Sequence, residues 1–99
     1  MNLYISGPMT GKRKHNHPAF NKAAKVLRKK GYKVVSPAEL DKDITVKLTW
    51  TQCLRRDIKY LVDCQGVATL PGCDDSRGAL LEIYIAKALD MPVKEVRKW

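Results

Sequence analysis

Short apolar runs closed by glycine or proline breakers alternate along this chain with helix-length segments, and that alternation constrains the fold most. Residues 2–6 (Asn-Leu-Tyr-Ile-Ser) form a β-branched and aromatic run that stops at Gly7-Pro8. Polar residues 7–17 read as a loop, and Pro18 suits the first turn of a helix. Phe20, Ala23, Ala24 and Leu27 recur at helical spacing, with Gly31 where a C-terminal cap belongs. Tyr32–Val35 reads as a second strand closed by Ser36-Pro37, and residues 38–48 as a loop. Thr49 is placed to cap a helix running to about Val62. Gly66–Leu70 is an apolar third strand ended by Pro71-Gly72. Asp74, Asp75 and Ser76 offer caps for a helix from Arg77 to Leu89. Met91–Val93 opens a last strand, with Pro92 tolerated near its start.

Strands that alternate with helices need helix-sized crossovers, so they lie parallel, and right-handed crossovers put helices on both faces. The expected fold is therefore a small doubly wound α/β sheet of about four strands, Rossmann- or flavodoxin-like. The 99 residues suit one domain over 1–99.

Nineteen Lys and Arg against ten Asp and Glu give a net charge of +9, which favours an anionic partner without saying which. The bases are spread along the chain rather than gathered on one helix, so a nucleic-acid interface is not expected. No apolar run approaches a membrane span, and the N-terminus lacks the features of a secretory signal. Cys53, Cys64 and Cys73 are odd in number and form no C-x-x-C pair. That pattern argues against a disulfide framework or a zinc site and suits a cytoplasmic setting.

Two acids stand out. In the helix after Thr49, an inward stripe of Trp50, Cys53, Leu54, Ile58, Leu61 and Val62 also takes in Asp57, while Arg55, Arg56 and Lys59 are expected to point elsewhere. An acid on a buried stripe is costly without partners. A capping aspartate paired with a nearby arginine is the plain structural alternative. The segment Ala79–Ala86 carries a single charge, Glu82. A helix apolar nearly all round is covered on more than one side, so the 77–89 helix is expected to form a homodimer or higher oligomer. Glu82 should have a raised pKa unless donors stabilise its charge.

Gly78 precedes Glu82 by one turn, and helical side chains lean toward the N-terminus. The Glu82 carboxyl should thus lie over the open space that Gly78 leaves. Ser76 and the free N–H groups of that first turn face the same space, a ready anion site at the carboxyl end of a parallel strand. The loop Gly7-Pro8-Met9-Thr10-Gly11 is neither a dinucleotide fingerprint nor a P-loop, and by itself it reads as a tight turn. His15 and His17 have no acidic neighbour in their loop and are not expected to bind metal. Trp50, Tyr60 and Tyr84 read as core or interface residues rather than base-stacking surfaces.

Taken together, Tyr4 through Gly11, then Arg56-Asp57, then Ser76 through Glu82 resemble the nucleoside 2-deoxyribosyltransferase superfamily, which includes the 2'-deoxynucleoside 5'-phosphate N-hydrolases. The likeness is to a compact GPMTG-loop branch found in phages and bacteria, and it spans nearly the whole chain. It implies that Glu82 attacks the anomeric carbon, that Asp57 assists departure of the base, and that Tyr4 holds the nucleophile. Gly7, Pro8, Met9, Thr10, Gly11, Ser76, Arg77 and Gly78 would bind substrate, with Ser76 accommodating a 5'-phosphate where an acid would repel it. The implied reaction is cleavage or transfer of the N-glycosidic bond of a deoxynucleoside 5'-monophosphate through a covalent glutamyl intermediate, with neither metal nor organic cofactor. Cys73 stands where the branch often has an aromatic residue, so a base-stacking ring would have to come from elsewhere. A second reading keeps the pocket without the chemistry, as a non-catalytic nucleotide-binding module.

Overall fold

The computed structural model describes residues 1–42 and 45–99. Its elements are β1 (Asn2–Ser6), α1 (His17–Lys29), β2 (Lys33–Val35), α2 (Pro37–Lys42), α3 (Trp50–Val62), β3 (Gly66–Thr69), α4 (Arg77–Ala88) and β4 (Val93–Glu95). Short 3-10 turns cover Arg13–Asn16, Cys73–Asp75 and Val96–Lys98. The four strands form one sheet in the order β2-β1-β3-β4, all parallel, with Tyr4 opposite Val67 and Ser6 opposite Thr69. This is the expected doubly wound α/β fold. The chain leaves β1 toward β2 on one side and β3 on the other, which opens a crevice at the carboxyl ends of β1 and β3.

Strand alternation sorts the core. Leu3 and Ile5 pack with Phe20, Ala23, Ala24 and Leu27 of α1. Tyr4 points the other way, with Leu61, Cys64, Val67 and Ala86 under α3 and α4. Gly66 gives room for the C-terminal Trp99, since a Cβ there would lie 2.5 Å from the indole. The indole N–H donates to the Val67 and Lys94 carbonyls, both at 3.1 Å. No helix among the described residues is long and apolar enough to cross a membrane.

Several local expectations need correction. The expected loop over 38–48 begins as α2, because Ser36-Pro37 starts a helix as well as ending a strand: the Ser36 carbonyl accepts from the Glu39 and Leu40 N–H groups. Residues 43–44 of that loop lie outside the described residues. The last strand, expected to open over 91–93, begins at the end of that stretch and spans Val93–Glu95, paired with Val67–Thr69. On α3 the inward stripe narrows. Asp57 and Leu61 are buried, whereas Trp50 and Val62, at the two ends of the helix, are 40% and 46% exposed.

Candidate active site

Each side chain of the site is aimed by the element that carries it. Tyr4 and Ser6 share one face of β1, two residues apart, and that face looks toward α4. Glu82 lies one turn beyond Gly78 on α4 and is 6% exposed. The Tyr4 hydroxyl donates to its Oε2 at 2.5 Å and the Ser6 hydroxyl to Oε1 at 2.8 Å, so both carboxylate oxygens are held. Ser6 was not singled out from the sequence, although its two-residue spacing from Tyr4 put it on the same face.

Burial pushes the Glu82 carboxyl up to about 7, against the two hydroxyl donors, which favour its charged form. Burial also raises Asp57, to about 6, with Arg56 pulling the other way. The Tyr4 hydroxyl is driven well above its ordinary range by burial and then by the Glu82 charge, so it remains a donor. Two buried carboxyls that both titrate near neutrality can hold a proton between them there.

Arg56 does not point away from the site as its helical position suggested. Its guanidinium curls back onto Asp57, with Nε at 2.9 Å from Oδ1, and onto Asp41 of α2, with Nη2 at 2.7 Å. Asp41 in turn meets the His17 ring at 3.1 Å. The histidine that lacked an acidic neighbour in sequence thus has one in space. Asp41 carried no sequence signal, since it fell in the segment read as loop.

A cavity of about 330 Å³ joins these groups and is walled by Gly7, Met9, Thr10, Asp57, Ser76, Gly78 and Glu82. That volume suits a small organic ligand. Pro8, Gly11 and Arg77, expected to bind substrate, do not line it. Pro8 instead accepts a hydrogen bond from the Asn16 side chain, and Arg77 stacks over the Trp50 ring at 4.6 Å. Gly7 lets the loop cross β3 closely, because a Cβ there would lie 2.7 Å from that of Leu70. Ser76 caps α4 by accepting from the Ala79 N–H at 3.2 Å. A Cβ on Gly78 would meet nothing nearer than Trp50 Nε1 at 3.9 Å, so the space above the first turn is open.

Trp50, His15 and Lys47 also line the cavity. Trp50 therefore belongs to the site wall, not to the core as its sequence position suggested. His15 is presented by a loop in which Lys14, His15 and Asn16 are all left-handed, a conformation that costs energy for non-glycine residues. Cys73 lies on a second cavity, between α1 and the turn after β3, and does not line this one. Among the described residues, no group of three or more His, Cys, Asp or Glu is placed to hold a metal ion.

Residues 1–95 match the model of a family described as a domain of unknown function, DUF4406. No curated protein matches the sequence. Among solved structures, a 2-deoxyribosyltransferase from Bacillus psychrosaccharolyticus is similar, with a TM-score of 0.74 at 21% identity, over 94% of this chain and 69% of that one. The likeness is one of fold.

Proposed function

The chain belongs to the DUF4406 family, and from its site we infer that it cleaves or transfers the N-glycosidic bond of 2'-deoxynucleoside 5'-monophosphates. The observation that carries this reading is Glu82: a buried carboxylate, gripped on both oxygens by Tyr4 and Ser6, at the wall of a cavity shared with Asp57. A carboxylate held in one orientation toward open space is a nucleophile's arrangement, and a second acid with a raised pKa is a proton donor's. The fold of a 2-deoxyribosyltransferase supports the same chemistry.

In this reading Glu82 attacks C1' of the sugar while the C1'–N bond breaks. The bond pair leaves with the base, which takes the Asp57 proton, and an ester joins Glu82 to the sugar. Water or a second base then releases the sugar. Ser76 and the first-turn N–H groups of α4 face the 5'-phosphate, with the helix dipole favouring its charge. His15 and Lys47 at the cavity wall add donors for an anionic ligand. The domain acts as one unit over 1–99, in the cytoplasm of a bacterial or phage-infected cell, and it pairs with a second copy through the outer face of α4.

The test is incubation with each common deoxynucleoside monophosphate and chromatography for free base. Glu82→Ala should abolish release. No release by the wild type from any of them, or undiminished release by the variant, overturns the reading. Calorimetry that shows a monophosphate bound and recovered intact would assign the pocket to binding alone.

A further inference from the structure

The Arg56 guanidinium serves two carboxylates at once. Its Nε and Nη2 both reach Asp57 Oδ1, at 2.9 and 2.8 Å, and Nη2 also reaches Asp41 Oδ1 at 2.7 Å. The other Asp41 oxygen is fixed by the His17 ring at 3.1 Å. Three helices meet here: His17 begins α1, Asp41 lies near the end of α2, and Arg56 and Asp57 are in α3. The Arg56 side chain is only 17% exposed, so solvent does little to share its charge. Both Arg56 contacts fall on Asp57 Oδ1, which leaves Oδ2 without a hydrogen bond among the described residues.

We propose that Asp41 is a positioning residue that draws the Arg56 guanidinium toward itself and so keeps a proton on Asp57. The inference rests on the proposed reaction, in which the departing base needs that proton. An Arg56 committed wholly to Asp57 would hold it as a carboxylate and leave the base to depart unprotonated. Shared with Asp41, the same cation tolerates the neutral acid and still lies against the carboxylate that forms when the proton leaves. The Asp41 charge also raises Asp57 directly, adding to the effect of burial.

Burial raises Glu82 as it raises Asp57, and Tyr4 and Ser6 work against it by donating to the Glu82 oxygens. With Glu82 at about 7 and Asp57 at about 6, the two hydroxyls on one acid and the divided guanidinium on the other keep the acids close enough that the form with the proton on Asp57 and the charge on Glu82 is populated. The other titratable groups around Asp57 are Glu82 on α4, Tyr4 on β1 and Cys53 on α3, with His17 behind Asp41 and His15 and Lys47 along the cavity wall.

The test follows the Asp57 carboxyl by carbon NMR as pH is varied, in the wild type and in Asp41→Asn. It is paired with kcat and KM for a deoxynucleoside monophosphate across about pH 5–9. With Asp41 neutral, Arg56 turns to Asp57, whose titration midpoint should fall by about one pH unit. The alkaline limb of kcat should move down by the same amount, with KM within about twofold. Asp41→Glu should restore both toward wild type. His17→Ala, which frees the second Asp41 oxygen for Arg56, should give a smaller shift in the opposite direction, a rise, and it carries the test if Asp41→Asn does not fold. An Asp57 midpoint that stays or rises in Asp41→Asn, or that falls in His17→Ala, overturns the proposal. So does an equal loss of kcat in Asp41→Asn and Asp41→Glu with an unmoved pH profile, which marks a packing role. A fallen midpoint without turnover of any monophosphate by the wild type supports Asp41's hold on the proton and removes the reaction instead.

Discussion

Glu82 is the residue whose environment costs the fold most and gives the site its character. Its pKa in the folded chain, about 7, lies above the ordinary carboxylate value of 4.5. The folded state therefore binds its proton more tightly than the unfolded chain does. The stability this brings is fully present below about pH 4.5 and is lost as pH rises through 7, an effect on the order of a few kcal/mol for so buried a group. Glu82→Gln should remove that slope. The variant should melt above the wild type at pH 8 and differ little near pH 5, because a glutamine still accepts from Tyr4 and can donate to Ser6. Thermal melts across that range check it, and parallel wild-type and variant curves would contradict it. Tyr4→Phe acts oppositely on the same group. Removing a donor raises Glu82 further, so the acid limb of activity, which requires the carboxylate, should move to higher pH. A pH–rate profile whose acid limb stays put or moves down would show that the Tyr4 bond does not set the nucleophile's charge.

Elements, rather than single residues, decide where the anion end of the site lies, and α4 does so with its first turn. Ser76 caps that turn and also lines the cavity. Ser76→Ala should cost roughly 1 kcal/mol of stability through the lost cap. Ser76→Asp retains a capping oxygen but places a charge against the phosphate. It should leave the melting temperature nearly unchanged while raising KM for a monophosphate at least tenfold relative to the free nucleoside. Equal discrimination in Ser76→Asp and wild type would dissociate Ser76 from the phosphate. Gly78→Ala separates folding from function in the other direction. The added methyl meets nothing closer than 3.9 Å, so helix propensity should stabilise the chain by up to about 1 kcal/mol, while the methyl narrows the cavity and raises KM. The Gly78–Glu82 placement was legible in the sequence because one helical turn is a fixed distance; Ser6 was not, since the strand repeat puts it on the Tyr4 face without marking it as a partner of Glu82. The α2 helix was not, since six residues are too few to show a period and Ser36-Pro37 signals a strand end as readily as a helix start. Arg56 was legible only as the nearby arginine of the structural alternative for Asp57: it leaves α3 one step around from the acid, and its long, flexible side chain brings the charge back.

Across the whole molecule the two faces of the sheet are finished differently. Leu3, Ile5, Phe20, Ala23, Ala24 and Leu27 close the α1 side into a sealed core. The α3 and α4 side buries Ala79, Glu82 and Ala86 inward but leaves Leu80 46%, Leu81 38% and Tyr84 73% exposed, with Tyr60 45% exposed on α3. A run of large apolar side chains on an outer helix face is the signature of an interface, since a solvated helix carries polar residues there. We expect a second copy to cover it. Each copy carries +9, so self-association works against like-charge repulsion. Added salt should therefore tighten the dimer, opposite to its effect on an interface held by ion pairs. Sedimentation at micromolar concentration should show a dimer whose fraction rises with salt. Tyr84→Glu should give a monomer that melts at nearly the wild-type temperature when both are dilute, because Tyr84 contributes little to the core of its own chain. A wild type that sediments as a monomer at those concentrations, or a Tyr84→Glu variant that still pairs, would place the interface elsewhere or nowhere.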